Sequence, residues 1–221
     1  MIKKLLLGAL AAASFNTMQG ATVFLLDDVI STGPTPSGSA PWLKVTATDT
    51  VFLVYDGMLE IPTSAVKITL ESNLQSHTEF FDKIGFVWAD GIFAPGEVTQ
   101  RGQSPSGLIP FSSRVSQSNS INFGVGTSVG LLVDFVNSNA GGGALRFDGT
   151  DTFEFTVYDP FGTQYNANTI FDDVSVIAHV NGIHVNGMNG DYSAWVRSAV
   201  PEPSTALLGL LGLAGLARRK R

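Results

Sequence analysis

An all-β fold, a single antiparallel β-sandwich of jelly-roll-like kind, is what this sequence predicts, and three observations predict it. Glycine occurs 24 times in 221 residues and only 14% of residues are charged, a composition suited to short strands joined by tight turns. Apolar residues alternate with polar ones: Val66, Ile68 and Leu70 against Lys67, Thr69 and Glu71, then Phe153, Phe155 and Val157 against Glu154, Thr156 and Tyr158. Between the two chain ends no long helical pattern intervenes, which disfavours a parallel sheet with crossover helices.

Taken in order, Thr22 to Ile30 reads as a first strand, and Ser31 to Pro41 is a Pro/Gly loop unfit for regular pairing. Trp42 to Thr48 and Val51 to Tyr55 are short strands around Asp49, and the alternating stretch at Val66 covers one side of a core. Phe80 to Trp88 follows, with Phe86 and Trp88 on one face. Gly91 to Ser120 is long, polar and punctuated by Gly and Pro, the mark of a loop. Ile121 to Gly126 and Val129 to Val136 return to strand character before the flexible Asn137 to Gly143. The alternation at Phe153, then Val174 to Val180 and Tyr192 to Arg197, closes a domain of about eight to ten strands.

The two ends differ from this body. Lys3 and Lys4 precede an apolar run from Leu5 to Ala13, the form of a secretory signal peptide, so residues 1–20 are read as a signal helix handled by the Sec translocon and signal peptidase. Small residues at Ala11 to Ala13 and the poorer Met18-Gln19-Gly20 both offer a cut, and the mature domain is taken to begin near Ala21. At the other end Pro201 and Pro203 break regular structure, and Ala206 to Ala217 contains only Ala, Leu and Gly. As a helix that run spans about 18 Å against a hydrocarbon core of about 30 Å, too short for a comfortable permanent span. Arg218, Arg219, Lys220 and Arg221 follow, and such a basic cluster stays cytoplasmic. Gly209, Gly212 and Gly215 make a stripe that lets another membrane helix approach, which suits a temporary, assisted span. A core helix is the bland alternative, but this run has no polar face and ends on four cations.

Without residues 1–20 and 200–221, the 13 Lys and Arg fall to 7 and the 19 acids to 18, a net charge of −11 for residues 21–199. Nucleic acid would be repelled, and a hydrated extracellular domain is favoured. The chain has no Cys, so thiol nucleophiles, Cys-ligated zinc and iron–sulfur chemistry are excluded.

Within the domain, candidate chemistry is sparse. His179 and His184 sit in a tandem HVNGIHVNG; five residues apart on a regular strand they face opposite ways, so a shared metal needs a turn, which Asn181-Gly182 offers as a hairpin. The plainer reading is a hairpin with His179 hydrogen-bonded near a core edge. No cofactor is required by any motif; calcium is the weak candidate, at Asp148, Asp151, Asp172 and Asp173, against a simple solvated acidic rim. No G-x-S-x-G is present, only His77, His179 and His184 are available as bases, and no pair of carboxylates stands out, so no enzyme is expected. Trp42, Trp88 or Trp195, if exposed, would stack on sugar rings, although the last two lie in apolar strand contexts.

Pro201, Glu202, Pro203 and Ser204, the Leu/Gly run and Arg218 to Arg221 together resemble the PEP-CTERM family of sorting signals. The resemblance covers about a tenth of the chain. It implies recognition by an exosortase, a membrane-embedded cysteine protease of Gram-negative bacteria that also make exopolysaccharide, then cleavage near the motif and release or transfer to the cell surface. Those residues are then recognition residues and not a catalytic site. The runs VKITLESNLQSHTEFFDKIGFVW, GALRFDGTDTFEFTVYDP, AHVNGI and SAWV are similar, in this order, to the ectodomain of one group of PEP-CTERM proteins; the likeness implies the fold and a surface role and no chemistry.

The expectation is an exported cell-surface or matrix protein, non-enzymatic and structural or adhesive. The alternatives are an exopolysaccharide-binding module, with or without calcium, and, less favoured, a polysaccharide-degrading enzyme. If the terminal cations set orientation, replacing Arg218 to Arg221 by Ser lets the apolar run slip through the membrane or leaves secreted protein uncleaved, seen as a change in intact mass and fractionation.

Overall fold

The computed structural model describes residues 20–56, 59–76, 78–88, 97–99, 113–123, 127–135, 146–149, 151–158, 166–185 and 191–198. Of the expected signal segment, residues 1–20, Gly20 alone is among the described residues, and the expected sorting tail, residues 200–221, lies outside them. Among the described residues no helix is long and apolar enough to cross a membrane.

Period-two sequences become strands with one buried face. In β1 (Ala21–Val29) Phe24 and Leu26 point inward while Val23 and Leu25 are exposed. Strands β2 (Leu43–Asp56) and β3 (Leu59–Ser72) pair along their whole length, burying Val45 and Ala47 with Val66, Ile68 and Leu70. Next come β4 (Phe80–Trp88), β5 (Glu97–Thr99), β6 (Ser113–Asn122), β7 (Ser128–Phe135) and β8 (Phe147–Asp148). Then follow β9 (Thr152–Tyr158), the one-turn helix α1 (Ala167–Ile170), β10 (Val174–His184) and β11 (Asp191–Ser198).

All of these pairings are antiparallel, and the strand order is β5-β9-β3-β2-β1-β11-β10-β4-β7-β6, with β8 added to β4. The all-β antiparallel class is thus as expected. The jelly-roll-like sandwich was the finer expectation, and what the ladder draws is one curled sheet. Its curl is read from side chains: Phe155 of β9 meets Phe86 of β4 edge-on at 6.4 Å, and Phe153 meets Phe135 of β7 at 5.6 Å. These strands lie six or seven places apart in the ladder, so the halves of the sheet face each other across an aromatic core.

Two segments differ from the sequence expectation. The stretch Gly91 to Ser120, read as loop, contributes β5 and most of β6, and β6 stops at Asn122 instead of running to Gly126. Both are the outermost strands, paired on one side only, and the polar SRVSQSNSIN lacks the alternation that burial imposes. The break around Asp49 is also absent, since β2 continues through it.

Asp49 instead fastens three segments. Its Oδ2 accepts from the backbone N–H of Gly20 (2.9 Å) and the side-chain amide of Asn166 (3.0 Å), and its Oδ1 accepts from Ala167 N–H (2.6 Å). Asn166 caps α1 by accepting from Asn168 N–H. A second fastener is Glu79, 2% exposed, which accepts from the N–H and hydroxyl of Ser37 and pins the Pro/Gly loop. Replacing Asp49 with Ala strands two backbone donors and an amide; a loss of about 2–4 kcal/mol in urea unfolding is expected, and a smaller one for Asp49→Asn.

Candidate functional site

Two β-bulges shape the outer face of β4, β10 and β11. In β4, Lys83 pairs with His179 and Phe81 with Val180, which leaves Asp82 as an extra residue. In β10, Asn181 pairs with Ser193 and Ile183 with Tyr192, which leaves Gly182 extra, at φ +76°. A side chain at Gly182 would run into the carbonyl of Thr78, so only glycine serves there.

The second bulge changes what β10 displays. Val176, Ala178 and Val180 face the core, and Ile177, His179 and Asn181 face outward. Beyond Gly182 the alternation is reset: Ile183 turns into the core and His184 is exposed. The expected hairpin at Asn181-Gly182 is therefore corrected to a bulge within one strand, and the two histidines share the outer side. The register slip supplies what a regular strand forbids.

His179 is held from two directions. Its Nδ1 donates to Asp82 Oδ1 at 2.8 Å, with the two side chains 17% and 14% exposed, and its ring stacks on Trp195 at 4.2 Å. Asn181 Nδ2 lies 3.4 Å from the same nitrogen. Trp195 meets Phe123 edge-on at 4.9 Å, and Phe123, Val129 and Ile177 form a small apolar cluster outside the main core. Gly85 permits that cluster, since a Cβ there would collide with Val129 and Phe123. The reading of His179 as a hydrogen-bonded residue at a core edge therefore holds.

Along β10 from this cluster lies a groove of about 420 Å³, lined by Phe80, Arg146, Asn181, His184, Asp191 and Ser193 among others. The Arg146 guanidinium lies over the Phe80 ring at 4.3 Å. His184 Nε2 and Asp191 Oδ1 are 3.3 Å apart at the rim, 60% and 72% exposed. Guanidinium, imidazole, carboxylate, amide and hydroxyl thus converge in one concavity, a lining suited to a polar ligand with both hydrogen-bond donors and acceptors.

The other sequence candidates disperse. Asp148 and Asp151 share a turn, in which Asp151 Oδ2 accepts from Asp148 N–H at 3.1 Å and Asp151 N–H donates to Asp148 O at 2.9 Å. Asp172 and Asp173 lie just before β10, whose Val174 pairs with Trp88, whereas Asp148 pairs with Phe80. The two pairs sit at opposite ends of β4, about 26 Å apart along the strand, and are not brought together. Among the described residues no three His, Asp or Glu side chains gather as a metal site. Trp42 is 5% exposed and belongs to the core, which corrects its candidacy as a sugar platform. Trp88 packs partly on the core and donates through its indole N–H to Ile170 O at 2.9 Å, and Trp195 is covered by His179 and Phe123. His77, Pro201 to Ser204 and Arg218 to Arg221 lie outside the described residues.

Asp82 and the Arg146–Phe80 pair were missed in the sequence because each is made by a register slip or a long-range approach. Asp82 looks like any polar residue in a strand, and the one local signal is its place inside the aromatic run FFDKIGFVW.

Compared with known proteins, residues 199–221 match the PEP-CTERM protein-sorting motif. The chain is in this respect an all-β protein carrying a PEP-CTERM C-terminal signal. No curated protein and no solved structure matches it.

Burial holds the Asp151 carboxyl above the usual carboxylate range, and the bond from Asp148 N–H offsets this only in part. A raised native pKa contributes stability that is complete below the unfolded value of about 3.9 and is lost as pH rises through the native value. Asp151→Asn keeps an acceptor for Asp148 N–H without the charge. It is expected to be at least as stable as the parent near pH 7, with the advantage vanishing below about pH 4, in urea midpoints measured across that range.

Proposed function

We propose that this is an exported, exosortase-sorted protein whose ectodomain serves a non-enzymatic structural or adhesive role at the cell surface or in the matrix around it. The observation that carries the export reading is the sorting motif at residues 199–221. That signal implies passage across the membrane, temporary anchoring and cleavage by an exosortase. The signal-like residues 1–20 support it and bring in the Sec translocon and signal peptidase as partners. The ectodomain role is supported by an acidic domain with a long, continuous sheet and by the absence of a nucleophile motif in the sequence.

A second reading, a glycan-binding module, is favoured by the groove between Arg146 and Asp191, with its mixture of donors and acceptors. It would place any exopolysaccharide contact there and not at the buried Trp42. A polysaccharide-degrading enzyme ranks below both; in that reading the Asp82–His179 pair is the natural base, and release of reducing ends from purified matrix is its test.

Intact mass of the protein recovered from its own host tests the leading reading. Loss of about the last twenty residues is expected. The double substitution Pro201→Ala, Pro203→Ala is expected to leave that mass in place and the protein in the membrane fraction; unaltered processing of the variant would overturn the assignment of these prolines.

A further inference from the structure

We propose that the projecting end of the β2–β3 hairpin rests in the headgroup layer of a zwitterionic lipid surface while the chain is anchored by its C-terminal segment. This goes beyond the sorting reading and rests on its anchoring step.

The hairpin is longer than the sheet that supports it. Among the described residues β1 accompanies β2 only as far as Thr48, and β9 accompanies β3 only from Ala65 onward, whereas β2 and β3 go on pairing with each other to Asp56 and Leu59. A two-stranded ribbon is marginal in water, and contiguous apolar side chains exposed on one mark a contact site. Here Val51, Leu53 and Ile61 are 56%, 48% and 44% exposed, and the sequence of the turn adds Met58 and Leu59. Both faces of the ribbon carry such residues. Val51 and Leu53 lie on one side, and Ile61, paired with Val54, lies on the other. A protein seated on one face would leave the other in water, whereas a ribbon dipped into lipid has both covered.

The backbone sets the depth. Beyond Thr48 and before Ala65 the outer edges of the ribbon have no ladder partner among the described residues, and unpaired donors and acceptors are kept out of hydrocarbon, so the headgroup layer is the seat. Because the domain is acidic and Asp56 and Glu60 belong to the same segment, anionic headgroups are disfavoured.

The anchor brings lipid to this end of the molecule. Ser198, Leu26 and Leu43 share one rung of the ladder, and since β11 and β2 both run antiparallel to β1, β11 ends pointing the way the ribbon projects. From that rung β2 extends about 26 Å to Val51 and about 43 Å to Asp56. The eight steps from Ser198 to Ala206, where the apolar run begins, cannot exceed about 28 Å. The tether is thus shorter than the ribbon. With the apolar run in the membrane, the domain cannot stand clear of the surface on this side without tilting the ribbon along it.

The chain has no Cys, so single cysteines carrying an environment-sensitive fluorophore report on chosen sites. The full chain, C-terminal segment included, is reconstituted into phosphatidylcholine vesicles containing a lipid with a nitroxide close to its headgroup. Probes at Leu53→Cys and Ile61→Cys are expected to lose about half or more of their emission, as a segment seated about 5–10 Å into the headgroup boundary meets the nitroxides. A probe at Asp191→Cys, at the far end of β11, is expected to lose none, and one at Leu211→Cys reads the anchor itself. Circular dichroism confirms that each variant folds. Quenching at Leu211→Cys without quenching on the ribbon would overturn the proposal and leave anchoring standing, whereas quenching at no site would overturn both. Equal quenching at Asp191→Cys, quenching on one face of the ribbon only, or a blue shift at Leu53→Cys without quenching, the mark of a second copy on the ribbon, would also overturn it.

Discussion

A sheet with one apolar face must bury that face, and among the described residues the sheet covers it largely with its own strands. Among the described residues a single one-turn helix accompanies eleven strands, and no helical layer among them caps the sheet. The solution is curvature. Phenylalanines from β9 reach those of β4 and β7, and Phe171, just after α1, packs against Phe24 of β1 and Phe86 of β4. Large rings suit such a core because each removes much apolar surface and tolerates the tilted contacts that a curved sheet imposes.

Curvature also bears on the outer surface. Bulges increase local twist, and those at Asp82 and Gly182 lie on adjacent strands, close to each other in the ladder. The extra residue that bends β4 is Asp82, and the one that bends β10 precedes Ile183 and His184. What strengthens the curl thus also brings a carboxylate to His179 and carries His184 to the outside. The small apolar cluster around Phe123 and Ile177 gives this outer face a rigid backing that a simple solvated face lacks. The packing of the core and the composition of the groove are in this sense two results of one geometric demand.

Much of this was legible in the residues. Alternation at Val66 to Glu71 and at Phe153 to Tyr158 is dictated by a half-buried strand, and both segments became neighbours, β3 and β9, in the ladder. The polar edge strand β6 was not legible, because pairing on one side imposes little hydrophobic pattern. Asp49 read as an interruption and proved to be a fastener, since the partners that justify an acid in mid-strand, Gly20 and Ala167, lie 29 and 118 positions away. The histidine pair was visible, but its facing was not: a parity argument assumes a regular strand, and Gly182 removes that regularity. Trp42 shows the reverse error, as a tryptophan next to a Pro-rich loop looks exposed until the loop is seen pinned by Glu79.

The direction of β11 has a bearing on how the molecule stands while tethered. The strand begins at Asp191, on the rim of the groove, and finishes at Ser198, immediately before the sorting segment. Seven residue steps along an extended chain put about 23 Å between them. As β1 runs antiparallel to β11, the folded body also starts toward that same lower end. While the tail is anchored, this one strand therefore sets the spacing between the groove and the point where the sorting segment begins.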